Sequence, residues 1–467
     1  MRRISKLLSP VLGTILISFL GAAAFLWFRT SQGIHFWSID TSRFGEVRFL
    51  KPPEGAQGFV LYLGSAAAAD APPQMALTLA QLGFAVAVVD TDRYLDSLKD
   101  NSDDCTLFSG ELTRLSQVIQ KNAGLSRLFQ PVLSGEGTGA AIAMSAVAQS
   151  ERDFKGAVLL NFCPELKLSK PLCEQDGLVS SRQHNPDILP PRHLQRPVMV
   201  WNEPGTGCQR EKWEAFVSPL AHASVKEKPF VPSELARFIR GASFLDNNQA
   251  VGSIAELPVV DLFPTSGFGE DLVILLSGDG GWATIDKEIG EVLRKKGVTV
   301  VGFDTLRYFW KRRTAEQSAV DLQRIIEHYR ARQAFERTTL IGFSFGADVL
   351  PALVNLLDEE TRSSLNRIIL LNPGLTYDFE VNLSDWLDIA PDSNRRRIAD
   401  DIRTFPGAKL VCVFTSDERD ESVCPMLESG SGEVLELEGD HHFDGDYSTV
   451  AGKIIDLIGP HGKPLLQ

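Results

Sequence analysis

The residues best equipped for chemistry lie toward the C-terminal end of the chain. Gly342-Phe343-Ser344-Phe345-Gly346 is a G-x-S-x-G, a weak signal alone that gains weight from its flanks. The apolar run Thr338-Thr339-Leu340-Ile341 leads in, and Ala347-Asp348-Val349-Leu350 leads out. Strand, tight turn and helix in that order form a nucleophile elbow, with glycines where larger side chains would clash. Ser344 is then expected at a helix N-terminus with its hydroxyl exposed, as the nucleophile of an ester or acyl-transfer reaction.

A serine nucleophile needs a base and an acid, and on this scaffold they follow it in the order acid, then histidine. The run Lys409–Phe414 reads as a late strand and is followed by Thr415-Ser416-Asp417-Glu418-Arg419-Asp420-Glu421. A short strand, Val434–Leu437, is followed by Glu438-Gly439-Asp440-His441-His442-Phe443. We take His441 as the base and Asp420 as the acid, with Asp417 as the second choice. Adjacent histidines also occur in surface loops and metal sites, but no recognisable zinc spacing surrounds these two, and neither a metal nor a cofactor is expected. The oxyanion hole is expected from the Phe345 N–H and from the loop Ser277-Gly278-Asp279-Gly280-Gly281-Trp282, chiefly Asp279 and Gly280. A phosphate cradle is the other meaning of such a glycine-rich loop, but the lysine and hydroxyl residue of a P-loop are missing.

The elements that must position these residues occur twice. FVLYLGS followed by ALTLAQLGFAVAVVDTDRYL, within residues 59–95, parallels LVILLSG followed by IGEVLRKKGVTVVGFDTLRYFW, within 272–310. PVLSGEGTGAAIAM at 131–144 parallels TTLIGFSFGADVLP at 338–351, and AVLLNFCPEL at 157–166 parallels IILLNPGL at 368–375. Short β-branched runs alternating with longer amphipathic stretches give βαβ units and a parallel sheet covered by helices. The fold class is therefore α/β, with two tandem α/β-hydrolase-like domains, the first at 36–240 and the second at 258–467, joined by a polar linker at 241–257. The first is degenerate. Its elbow is Gly135-Glu136-Gly137-Thr138-Gly139, with Gly137 where the serine should stand, and no acid-then-histidine pattern follows; His193 and His222 read as structural or exposed.

The chain has 467 residues and a formal net charge of −13, with 43% hydrophobic residues. That describes packed globular domains and argues against general nucleic-acid binding, which needs a basic face. Residues 1–30 differ: Arg2, Arg3 and Lys6 precede an apolar run from Leu7 to Phe28. This is the layout of a cleaved signal, with Ala22 and Ala24 as an A-x-A site, or of a signal-anchor. Either places the rest outside the cytoplasm. Of the six cysteines, the close pairs Cys163 with Cys173 and Cys412 with Cys424 are the disulfides such a compartment allows, buried thiols being the alternative.

SGDGGW at 277–282, DTLRYFW at 304–310, GFSFGADVLP at 342–351, and the late CP and GDHHF within 424–443 resemble the bacterial virulence protein VirJ family. The double-length form with a degenerate first copy is similar to the family's AcvB branch. The resemblance implies a periplasmic hydrolase of lysyl-phosphatidylglycerol, soluble after signal cleavage or anchored to the inner membrane, with Ser344 and His441 matching the family's serine and histidine. It implies an aminoacylated phospholipid as substrate, the periplasmic leaflet as a surface partner, and a link to type IV secretion proteins. Asp279, Asp348 and Asp440 are expected contacts for the lysyl ammonium groups, although Asp348 would equally stabilise its helix's first turn. Arg307, with Lys311, Arg312 and Arg313, is expected at the lipid phosphate, a solvated basic run being the alternative. Tyr308, Phe309 and Trp310 belong either to the membrane interface or to the core. A general carboxylesterase or lipase and a periplasmic secretion adaptor are the competing functions.

Overall fold

The computed structural model describes residues 33–459 apart from 42, 65–72, 101–104, 151–152, 174–186, 193, 204–207, 227–230, 242–253, 255, 265–268, 382–394, 404, 406–408 and 429. The expected signal or anchor at 1–30, most of the linker and His193 lie outside the described residues. The chain divides between Asn248 and Gln249 into two units, each with its own sheet.

The first unit contributes β1 (His35–Thr41), β2 (Gly45–Lys51), β3 (Phe59–Gly64), β4 (Ala85–Asp90), β5 (Val132–Glu136), β6 (Gly156–Leu160), β7 (Val198–Trp201) and β8 (Ala223–Lys226), in the spatial order β1-β2-β4-β3-β5-β6-β7-β8. The second contributes β9 (Val259–Leu262), β10 (Asp271–Leu276), β11 (Thr299–Phe303), β12 (Arg337–Phe343), β13 (Leu365–Leu371), β16 (Leu410–Thr415) and β17 (Glu433–Leu437). Their order is β17-β16-β13-β12-β10-β11-β9, and a separate ribbon pairs β14 (Thr376–Tyr377) with β15 (Arg396–Arg397). From β2 to β8 in one unit and from β9 to β17 in the other the two orders are the same. In each, an antiparallel strand (β2, itself flanked by antiparallel β1, or the edge strand β9) is followed by parallel strands. The chain is a tandem of two α/β units.

The central strands are apolar throughout because helices cover both faces. β10 is Asp-Leu-Val-Ile-Leu-Leu with every residue after Asp271 buried. Val273, Leu275, Ile341 and Phe343 on one face pack against the helices Thr284–Lys295 and Tyr447–Ile458, through Ile289, Leu293 and Ile454. Each such side chain taken from water is worth roughly 1.5–3 kcal/mol. The helix Phe345–Asn355 leaves the end of β12 and lies against it, which is why its side chains are buried almost all round.

Two expectations resolve here. Tyr308, Phe309 and Trp310 belong to the core, each 3% exposed or less, with the Phe309 ring edge-on to Phe345 at 5.4 Å. The expected Cys163–Cys173 disulfide is not formed: Cys173 pairs with Cys105 and Cys163 with Cys208, while Cys412 pairs with Cys424. Closeness in sequence was misleading because a parallel bridge between Thr106 and Leu172 brings Cys105 beside Cys173. Asn202, bonded to both the N–H and the carbonyl of Phe162, likewise draws the Cys163 loop toward the segment carrying Cys208.

Candidate active site

Ser344 sits at the junction of β12 and the helix Phe345–Asn355, with φ +50° and ψ −120°. Such a conformation in a non-glycine residue costs on the order of 1–3 kcal/mol and persists only where its surroundings impose it. Here they do. A Cβ on Gly342 would lie 2.5 Å from the Gly346 carbonyl oxygen, and one on Gly346 would lie 2.4 Å from the Leu276 oxygen. The helix is thus packed tightly against both β12 and the end of β10, and the residue that joins β12 to the helix takes the left-handed turn. Its N–H is held by the Leu371 carbonyl at 2.9 Å. Phe345, next in the chain, opens the helix, so its N–H has no helical carbonyl to bond.

His441 arrives from the loop after β17. Its Nε2 lies 3.0 Å from Ser344 Oγ. Asn372, which follows β13, donates from Nδ2 to the His441 carbonyl at 2.9 Å while its Oδ1 accepts the Thr415 N–H at 2.8 Å. One side chain thereby ties the base loop to the end of β16. The carboxylate at His441 Nδ1 is Glu418, with Oε2 at 3.1 Å, in place of the expected Asp420 or Asp417. Both aspartates are exposed, whereas Glu418 ends the short 3₁₀ turn Ser416–Glu418 and is half-buried. The turn is pinned to the base loop, since Gly439 N–H donates to Ser416 Oγ at 3.3 Å. Its third residue faces the imidazole, and the longer glutamate side chain reaches it. Glu418 stands in the acidic run recognised in the sequence; the turn's phase, which selects among its carboxylates, is not visible there.

The loop 277–282 lies beside the elbow, and two carboxylates secure its far end. Asp304 accepts from the Trp282 N–H, caps the following turn at the Arg307 N–H (3.0 Å) and pairs with Arg307 Nε at 3.3 Å. Asp286 Oδ2 accepts the Ala283 N–H at 3.2 Å. Burial, with the charge of Asp304 adding to it, pushes Asp286 up to about 8, and burial also raises Asp304 despite Arg307 and its N–H partners. Asp286 thus carries a proton at neutral pH. Arg307, expected at a lipid phosphate, makes this pair with its side chain still half exposed.

The expected substrate contacts separate. Asp440 Oδ1 accepts the N–H groups of Asp444 (3.0 Å) and His442 (2.8 Å), which lower its proton affinity and let it clasp the base loop. Asp348 stands one helical turn after Ser344, its Oδ1 accepting the Gly374 N–H at 2.7 Å. Burial raises it to about 7, opposed by Gly374 N–H and Arg395 and reinforced by Asp279. Two carboxylates that influence each other therefore stand by the nucleophile. Among the described residues no cluster of His, Cys, Asp and Glu is arranged to hold a metal ion.

In the first unit the elbow backbone persists without the nucleophile. Gly137 has φ +55° and ψ −117°, nearly those of Ser344, and its N–H is held by Leu160 O at 2.9 Å as Ser344 is by Leu371. His222 is exposed and its carbonyl accepts the Val198 N–H.

A serine at a strained strand–helix elbow, a histidine on its hydroxyl and a glutamate behind the histidine, all at the ends of parallel strands, define the second unit as an α/β hydrolase. Residues 270–460 match the family described as bacterial virulence protein (VirJ). No curated protein matches the chain. Similar solved structures include XC6422 from Xanthomonas campestris, described as a serine hydrolase without lid, at 16% identity over 42% of this chain and 85% of that one, with a TM-score of 0.28. Another is Est1E from Butyrivibrio proteoclasticus, at 15% identity over 43% and 93%, TM-score 0.32. A third is dienelactone hydrolase from Anabaena variabilis, at 15% identity over 45% and 98%, TM-score 0.31.

Two predictions follow from the geometry. Glu418→Gln should lower kcat by about 10²–10⁴-fold on any ester the protein hydrolyses, while Asp420→Asn leaves it within about 2-fold; steady-state kinetics on a chromogenic ester checks both. Asp286 keeps in the folded chain, between pH 4 and about 8, a proton that the unfolded chain has released. Stability therefore falls as pH rises through that window. Asp286→Asn should gain about 1 kcal/mol or more relative to the parent at pH 9 and nothing at pH 4, measured by denaturant unfolding.

Proposed function

We propose that the second unit is a periplasmic serine esterase that hydrolyses the aminoacyl ester of lysyl-phosphatidylglycerol, releasing lysine and phosphatidylglycerol. The observation that carries hydrolysis is the Ser344–His441–Glu418 array, with contacts of 3.0 and 3.1 Å. Ser344 Oγ adds to the ester carbonyl as His441 Nε2 takes its proton, and Glu418 holds the imidazole in the tautomer that leaves Nε2 free to accept. The oxyanion that forms faces the Phe345 N–H and the backbone of the 277–282 loop. His441 then gives the proton to the departing glycerol oxygen, breaking the ester bond and leaving a lysyl ester on Ser344. Water, deprotonated by the same histidine, releases lysine and restores the serine.

The aminoacyl part of the reading is supported by Asp348. A lysyl ester brings two ammonium groups, and an anionic side chain one turn from the nucleophile, with Asp279 nearby, suits one of them. Three disulfides among the described residues support an oxidising compartment, as does the basic-then-apolar start of the sequence.

Full-length protein and its Ser344→Ala variant, incubated with liposomes containing lysyl-phosphatidylglycerol, should differ in one product: the parent releases free lysine and the variant none. Absence of release by folded parent protein would dismiss the aminoacyl-lipid substrate. A finer expectation concerns Asp348, which must be ionised to attract an ammonium group. Preference for a cationic over a neutral ester of equal size should fall as pH drops through about 7. Asp348→Asn should abolish that pH dependence and raise KM for the cationic ester about 10–100-fold, with the neutral ester little changed.

A further inference from the structure

Glu418, the carboxylate at His441 Nδ1, lies in a span of chain that a disulfide closes. Cys412 is within β16 and Cys424 beyond it, both fully buried, and Glu418 stands midway along the twelve residues that separate them. Its own turn has little packing to hold it. Asp417, Arg419, Asp420 and Glu421 are exposed. The bonds that join the turn to the base loop are long: Asp417 N–H reaches the Gly439 carbonyl at 3.4 Å, and Gly439 N–H reaches Ser416 Oγ at 3.3 Å. Bonds of that length at the surface compete poorly with water. Arg419 adds an ion pair with Glu436 of β17, but an exposed pair of this kind is worth little.

The two ends of the span are held differently. At the first, Thr415 ends β16, is fully buried and donates its N–H to Asn372 Oδ1 at 2.8 Å. At the second, Val423 N–H donates to the Gly374 carbonyl at 3.2 Å and Cys424 N–H to Ser422 Oγ at 3.2 Å, after which Pro425 and Met426 are exposed again. The far end is thus fastened by the bond to Gly374, by the buried Val423 side chain and by the disulfide, of which only the last is covalent. We infer that Cys412 and Cys424 are positioning residues for the acid: their disulfide fixes the phase of the turn, so that Glu418 and not a neighbouring carboxylate meets His441. A span fixed at both ends has few conformations. Opened at one end, its exposed residues regain backbone freedom, and ordering Glu418 at the imidazole then costs entropy that the bridge had already removed. This role presupposes the Ser344–His441–Glu418 array and no particular ester.

A double-mutant cycle on full-length protein, read by steady-state kinetics on a chromogenic ester, supplies the test. Cys412→Ala with Cys424→Ala should lower kcat by about 10–100-fold while KM changes less than about 3-fold. Glu418→Gln, costly in the parent, should then cost less than about 3-fold more, because the carboxylate it removes is already out of place. Cys412→Val with Cys424→Ala keeps a larger apolar side chain inside β16 and should give the same cycle, which separates loss of the bridge from an emptied core. Cys105→Ala with Cys173→Ala, which opens a disulfide of the first unit, should leave the cost of Glu418→Gln at its parental size. If Glu418→Gln keeps its full cost without the Cys412–Cys424 bridge, the inference is overturned and the bridge supports the sheet alone. A bridge-free protein with kcat within about 2-fold of the parent would overturn it too. A parent indifferent to Glu418→Gln would remove the acid itself, and the inference with it, so failure of the catalytic reading is told apart from failure of this one.

Discussion

The close crossing of β12 over the helix that follows it governs the rest of the second unit. Gly342 lets β12 and the helix approach until a methyl group there would collide with the Gly346 carbonyl, Gly346 lets the helix approach the end of the neighbouring β10 as closely, and the residue between them takes positive φ. That one backbone constraint lifts the Ser344 hydroxyl off the sheet, starts a helix whose first N–H groups lack partners, and sets Asp348 one turn beyond. The base and acid are then supplied by loops from β17 and β16, and Asn372 links those loops to the end of β13. The site is assembled from the ends of adjacent parallel strands.

The first unit isolates what the crossing alone dictates. Gly135 and Gly139 meet the same backbone obstructions there, at 2.2 Å and 2.1 Å, and Gly137 takes the same left-handed turn. Glycine adopts that conformation without the penalty that serine carries. Replacing the nucleophile with glycine therefore relaxes the turn without altering the chain's path, and the strand order survives unchanged. A positive-φ asparagine also follows the next strand in both units, Asn161 and Asn372. The elbow is a requirement of this packing first, and a catalytic device only where a serine occupies it and a histidine reaches it.

These relations explain which parts were legible from sequence. Duplication, strand sequence and elbow are short-range patterns: an apolar run, a glycine pair four residues apart, a helix. Ser344, His441 and the Phe345 N–H follow from those patterns and from chain order. The acid does not, because four carboxylates stand in one run, and a single residue of phase in the 3₁₀ turn Ser416–Glu418 decides which meets His441. Aspartate, the commoner acid on such scaffolds, was the natural choice and the wrong one. The clasp that Asp440 forms was hidden for a related reason, since it depends on the N–H groups of His442 and Asp444 in a turn whose backbone angles no composition reveals. The pairing of Arg312 with Asp378 and the packing of Arg313 over the Tyr308 ring bring in partners from other parts of the fold, which the basic run itself does not disclose.

The concentration of acidic groups near a site that must stabilise a developing oxyanion presents an electrostatic problem, and protonation resolves much of it. Asp286, buried behind the 277–282 loop, keeps its proton at neutral pH and supports Ala283 as a neutral acceptor. Asp304 is offset by Arg307. Asp348 is the group left near its own midpoint at neutral pH. With a neutral ester it can take up a proton and leave the oxyanion less opposed. An ammonium group on the substrate instead favours its ionised form, and the new ion pair compensates the charge that would otherwise oppose the transition state. On the proposed substrate, one titratable carboxylate both selects for a cationic acyl group and avoids a standing negative field beside the reacting carbonyl, a combination that a carboxylate fixed in its ionised form could not provide.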